Sequence, residues 1–121
     1  MEINELDIYK ISKEISKDCW KVYSKLNWHD RKIIGDQFIC AIDSVGANIA
    51  EGFGRFHYLD KNKFNYNARG SLLESIYWLE ILKERDKIDI KELDFINKKI
   101  EFLHRKLNAY ISSTKKQVGL K

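Results

Sequence analysis

Four stretches of this 121-residue chain repeat apolar residues at steps of three and four, and no proline interrupts any of them. That spacing puts the apolar side chains on one face of a helix. Proline breaks helix interiors and is recruited by turns and edge strands, so its absence favours long helices over a loop-rich β architecture. Ile8, Ile11, Ile15, Cys19, Val22 and Leu26 predict a first helix over residues 6–26, with Asn27-Trp28-His29 as the turn. Asp30 is a good cap for a second helix over 31–51, whose inward stripe is Ile34, Phe38, Ala41, Val45 and Ile49. Gly52 ends it, glycine being tolerant of left-handed C-cap geometry. Asp60 opens a third helix over 60–85 with Phe64, Ala68, Ser71, Leu72, Ser75, Leu79 and Leu82 at helical spacing. The small residues Ala68, Gly70, Ser71 and Ser75 let a neighbouring helix approach closely.

The fourth helix, over 90–113, has the clearest start. Asp89 and Glu92 have capping-box spacing, and Ile88 and Leu93 flank them as a hydrophobic staple. Leu93, Ile96, Ile100, Leu103, Leu107 and Tyr110 then form a bundle seam, fraying near Ser112-Ser113 and leaving 116–121 loose. Short connections between long helices imply antiparallel neighbours. The expected fold is all-α, a single-domain antiparallel up-down-up-down four-helix bundle. Trp20, Tyr23, Trp28, Tyr66, Leu73, Tyr77 and Trp78 lie beside the inward stripes. Some widen the core; a contiguous exposed patch of them would point to self-association.

No stretch reaches the roughly 18–20 uncharged apolar residues of a membrane span, and the acidic start Met1-Glu2-Ile3-Asn4-Glu5 is unlike a secretory signal. The expected location is the cytoplasm. Cys19 and Cys40 both fall in helical apolar patterns, which reads as two buried free thiols ahead of a bridge. His29, His57 and His104 are scattered, with no ligand at i, i+4, no Glu-x-x-His pair, and no arginine placed for a helical ribonuclease motif. Gly52-Phe53-Gly54 lacks the remaining spacing of a phosphate loop and follows a helix, not a strand. Ser44, Ser71 and Ser75 have no local histidine, and Glu51, Glu74 and Glu80 read as surface or salt-bridging carboxylates. The expectation is a protein that is not an enzyme and uses no cofactor or metal.

Charge points elsewhere. The formal net charge is only +4, but from Ile96 onward the basic residues Lys98, Lys99, Arg105, Lys106, Lys115, Lys116 and Lys121 are opposed by Glu101 alone. The first helix adds Lys10, Lys13, Lys17 and Lys21 along one side. The candidate nucleic-acid contacts are Lys17, Lys21, Lys98, Lys99, Arg105, Lys106, Lys115 and Lys116, which would neutralise phosphates of RNA or DNA and release counterions.

The segment Ser44-Val45-Gly46-Ala47-Asn48-Ile49-Ala50-Glu51-Gly52-Phe53-Gly54-Arg55 resembles the signature of the four-helix bundle proteins encoded in intervening sequences of bacterial 23S rRNA genes. That family typically reads Ser-Ile-Pro-x-Asn-Ile-Ala-Glu-Gly-x-Gly-Arg. Arg69-Gly70-Ser71-Leu72-Leu73-Glu74-Ser75 resembles its Gly-Ser-Leu-x-Glu stretch. The resemblance implies an antiparallel bundle that assembles as a homopentamer with a basic surface toward nucleic acid. A more distant likeness, to the accessory variability determinant of diversity-generating retroelements, implies a reverse transcriptase as partner. Gly46 stands where the family has proline, leaving open whether the second helix is kinked. Within the signature, Gly52 and Gly54 turn the chain, Glu51 and Arg55 can pair with each other or with neighbours, and Asn48 can cap or bridge helices. These five positions read as structural, as a subunit contact or as a ligand site.

Overall fold

The computed structural model describes residues 1–119, and among them it has four long helices and no strand. They are α1 (Asp7–Lys25), α2 (Trp28–Phe53), α3 (Tyr58–Glu84) and α4 (Ile90–Gly119), with a short 3-10 turn, Ile3–Glu5, before α1. The most extensive packing is α2 on α3, followed by α3 on α4, α1 on α2 and α1 on α4. Between α1 and α4 the ion pairs Lys25–Glu92 (3.1 Å), Lys99–Asp18 (2.7 Å) and Lys106–Asp7 (3.9 Å) form a ladder. Partner numbers fall along α1 as they rise along α4.

The core is made by the stripes the periodicity marks. Ile8, Ile15, Cys19, Val22, Ile34, Phe38, Ala41, Val45, Ile49, Ala68, Leu72, Leu79, Leu82, Leu93, Ile96, Ile100, Leu103 and Leu107 are all buried. Ile11 and Phe64 are only half-buried; Ser12 and Asn65, one residue on, take the inward places. On α4 the seam moves from Tyr110 to Ile111, because a 3.6-residue turn drifts against a seven-residue repeat. Thr114 follows at 6% exposure, its hydroxyl donating to the Tyr110 carbonyl (2.9 Å). This continued burial carries α4 past Ser112 and Ser113 to Gly119. Residues 116–119, expected to be loose, are helical; Leu120 and Lys121 lie outside the described residues.

Helix starts differ from the expectation where side chains have other work. Asn27, not Asp30, caps α2, its Oδ1 accepting from the Asp30 amide at 2.8 Å. The Asp30 carboxylate instead pairs with Lys87 across the bundle end (3.0 Å). α3 starts at Tyr58, with no side-chain cap from His57, and Asp60 falls within its first turn. Asp89 does cap α4, its Oδ2 accepting from Lys91 N (3.1 Å) and Glu92 N (3.3 Å). The other half of the expected capping box is replaced: Glu92 reaches Lys25 on α1.

α2 is irregular near its start, not at Gly46. A π-helical turn spans Arg31–Gly35, whereas Gly46 sits in regular helix. A Cβ on Gly46 would lie 3.0 Å from Ser12 Oγ, so glycine here brings α1 and α2 close. α2 is also long and apolar enough by length and composition to cross a membrane. Asp36 and Asp43 interrupt it, so it holds no run of 18 uncharged apolar residues. Its apolar stripe joins the shared core and packs on α1 and α3, and Asp36 and Asp43 accept hydrogen bonds from Tyr23 (2.7 Å) and Ser16 of α1. Cys19 is buried as expected, and that burial, beside Asp18, Asp43 and Glu92, pushes its thiol far above the usual range. Cys40 is exposed, contrary to expectation, because it falls one residue outside the α2 stripe.

Candidate nucleic-acid interface

The eight cations singled out from the sequence separate into three groups. Lys99 and Lys106 are occupied at the α1–α4 junction by Asp18 and Asp7. Lys99 also sits 4.4 Å from the centre of the Phe95 ring. Lys115 turns toward α3 and lies 5.8 Å from the Tyr66 ring. Lys98, Arg105 and Lys116 on α4, with Lys17 and Lys21 on α1, are exposed and make no ion pair among the described residues.

The α4 members of the last group belong to a pattern that the search for a core concealed. Lys91, Phe95, Lys98, Phe102, Arg105, Ala109, Ser112 and Lys116 recur at alternating steps of four and three, and every one is exposed. This is a second seam on the same helix, facing solvent. Phe95 is 55% exposed and Phe102 43%, unusual for such large apolar side chains at the centre of a helix face. Arg105 and Lys106 flank Phe102 at 5.9 and 5.5 Å from the ring centre. Lys91, Phe95 and Phe102 were missed because the inward seam already accounted for the helix. The 4-3 count applied twice would have found them. Asp94 and Glu101, one residue before each ring, are the carboxylates nearest this line in helical register, on the flank away from α1.

α3 also carries a second seam. Leu59, Lys63, Tyr66, Gly70, Leu73 and Tyr77 follow the same alternating steps, all exposed. Leu59 is 73% exposed, and a Cβ on Gly70 would meet nothing within 4 Å. Of the aromatic and aliphatic residues expected beside the inward stripes, Trp20, Trp28, Tyr66, Leu73 and Tyr77 are exposed, while Tyr23 and Trp78 pack against the core.

The signature segment forms the corner between α2 and α3. Gly52 is helical and has no positive φ; a Cβ there would lie 3.0 Å from the Lys61 carbonyl and 3.1 Å from Phe64 Cβ. Its role is close approach of the two helices, not the left-handed cap expected. Gly54 is the C-cap, also right-handed, its amide donating to the Ala50 carbonyl (3.2 Å). Arg55 pairs with Glu51 (3.3 Å) and lies 4.6 Å over the Phe64 ring. Lys61 closes the corner from α3 by donating to the Phe53 carbonyl (3.0 Å). Asn48 donates to the Ser44 carbonyl of its own helix (2.8 Å).

Beneath this corner lie two residues the sequence did not flag. Asn62 and Asn65 are buried in α3; Asn62 donates to the Ile111 carbonyl of α4 (3.1 Å), and Asn65 donates to Asn62 Oδ1 (3.0 Å). Asn65 Oδ1 has no protein partner. Asparagine at a core position reads as a solvent-facing polar residue until its neighbours are known. Elsewhere, no group of three or more His, Cys, Asp or Glu side chains forms a metal-holding cluster among the described residues.

The model of the 23S rRNA-intervening sequence protein family matches residues 4–109. A crystal structure of a protein of unknown function from the S23 ribosomal protein family of Bacteroides thetaiotaomicron superposes with a TM-score of 0.80. It is 23% identical and covers 86% of this chain and 97% of its own, which establishes likeness of fold. Among curated proteins no relative matches the chain.

Proposed function

The chain belongs to the 23S rRNA-intervening sequence protein family, and from that premise we propose that it is a non-enzymatic, oligomeric nucleic-acid-binding protein, an antiparallel up-down-up-down bundle that holds structured RNA on a basic face. The observation that carries this reading is the outward seam of α4. There Lys91, Lys98, Arg105 and Lys116 recur along one line without a carboxylate partner among the described residues. Cations held on a rigid helix at regular intervals pair with a regular row of phosphates, and each contact releases a counterion. Lys17 and Lys21 extend the face onto α1. Lys99 and Lys106 contribute less, because Asp18 and Asp7 already neutralise them.

One subunit offers few contacts, so assembly matters. The α3 outer seam supplies the surface for it: exposed Leu59, Tyr66, Leu73 and Tyr77 around an open Gly70, the layout onto which another helix packs closely. A closed ring, the homopentamer that the family resemblance implies, repeats the basic face and converts weak binding into avidity. The same apolar face favours a second reading, an adaptor that docks another protein such as a reverse transcriptase.

The test is binding of a labelled RNA hairpin at two salt concentrations, together with light scattering. Four phosphate contacts predict that affinity falls about 10²-fold between ~50 and ~200 mM salt. The scattering mass should be several times 14.4 kDa, and a mass near one subunit would contradict the assembly. Binding indifferent to salt, or none at low salt, would remove the nucleic-acid reading and leave the adaptor.

A further inference from the structure

Two exposed phenylalanines do not serve phosphate binding, and they are placed at the same interval as the cations. Phe95 and Phe102 alternate with Lys91, Lys98 and Arg105 along the solvent side of α4. An aromatic ring half in water at the centre of a cationic line loses apolar burial for nothing, unless a flat partner covers it. A duplex offers such a line only its phosphates, its base faces being stacked away. An unpaired strand offers phosphates and base faces together, and both stacking and cation–π contacts then contribute. Building on the proposal that this face takes nucleic acid, we infer that Phe95 and Phe102 are stacking platforms for unpaired bases, so that the α4 seam selects single-stranded segments over duplex.

The geometry suits that ligand. Seven helical residues separate the rings by ~10.5 Å along the axis. Arg105, which makes no ion pair among the described residues, lies 5.9 Å from the centre of the Phe102 ring and puts positive charge beside that platform, where the phosphate joined to a stacked base would lie. A second copy of this chain fits the seam less well, since its cations would face those of the copy. Structured RNA and an unpaired-strand preference are compatible, because loops and bulges present unpaired bases on a folded molecule.

The experiment measures affinity of the full chain for a short unstructured RNA strand and for the same strand annealed to its complement. The parent protein should prefer the single strand by about tenfold, the scale of stacking on exposed aromatic residues. Phe95→Ala with Phe102→Ala should abolish the preference, leaving duplex affinity and its salt dependence in place. Phe95→Leu with Phe102→Leu, which keeps apolar area but removes the flat ring, should behave like the alanine pair. Equal affinity of the parent for both forms, or a preference retained by the leucine pair, would overturn the inference while leaving salt-dependent binding intact. Failure to bind either RNA would sink the underlying reading as well. A fall in scattering mass for the alanine pair would show the rings to be a subunit contact, and would overturn the inference too.

Discussion

The outer faces of α3 and α4 obey the same count and carry opposite chemistry. Both repeat exposed residues at alternating steps of four and three. On α3 the positions are Leu59, Lys63, Tyr66, Gly70, Leu73 and Tyr77, with one charge among them; on α4 they are Lys91, Phe95, Lys98, Phe102, Arg105, Ala109, Ser112 and Lys116, with four cations. The count decides only which side chains share a face. What they carry decides the partner. Leucines and tyrosines around a glycine match the apolar side of another helix, which can approach until backbones nearly touch. Cations interleaved with rings match a chain of phosphates and bases, and repel a second copy of themselves. The division of labour proposed here, α3 for assembly and α4 for nucleic acid, follows from that contrast.

Charging the α3 face should have the largest effect. Leu73 and Tyr77 are 51% and 53% exposed, so aspartate at both positions is compatible with the folded subunit. In an assembly the same carboxylates would be desolvated without partners. The expected result for Leu73→Asp with Tyr77→Asp is a scattering mass near 14.4 kDa and RNA affinity lower by about 10²-fold through lost avidity. Circular dichroism should be unchanged. An unchanged mass would break the comparison at its α3 half.

A smaller effect tests the other half. Lys98→Ala with Arg105→Ala should leave the mass alone, weaken RNA binding about tenfold, and flatten the slope of log affinity against log salt by roughly 2. Lys99→Ala provides the sharper contrast. That ammonium is held by Asp18 at 2.7 Å and the side chain is 27% exposed, so its loss should change the slope by less than either residue of the pair. A slope that falls equally for Lys99 and Lys98 would mean that the surface acts as a diffuse charge, with no aligned seam.

The inward half of this molecule was legible in the sequence, and the outward half was legible only in part. The four core stripes follow from helical periodicity because burial selects for apolar residues strongly and regularly. Helix ends were less readable, since Asp30 has the composition of a cap but spends its carboxylate on Lys87, a residue 57 positions away. Gly52 illustrates the same limit: a glycine at a helix end signals a backbone requirement, yet here the need is space for the Lys61 carbonyl. Asn62 and Asn65 were invisible for the converse reason, polar residues being assigned outward unless a partner is known. Among the candidate contacts, lysine and arginine could be counted but not sorted. Whether a lysine is free or neutralised depends on which carboxylate the neighbouring helix brings to it. The signature segment was recognised by its letters, and its mechanical role as the α2–α3 corner emerged from distances.

The finest test uses two glycines that differ only in what surrounds them. At Gly52 a methyl group would meet backbone at 3.0 Å, a neighbour that cannot rotate away, so Gly52→Ala should lower stability by about 1–3 kcal/mol, measured by denaturant unfolding. At Gly70 the same methyl meets nothing within the subunit. Alanine relieves the entropic penalty of glycine inside a helix, so in the isolated subunit Gly70→Ala should raise stability by about 0.5–1 kcal/mol. The sign in the assembled particle is the informative part. If a neighbouring helix packs against α3 over Gly70, the methyl occupies the contact, and the substitution that stabilises the monomeric Leu73→Asp, Tyr77→Asp background should weaken the oligomer made by the parent chain. Stabilisation in both backgrounds would show that no close helix contact passes over Gly70, and the α3 seam would then need a looser or different partner.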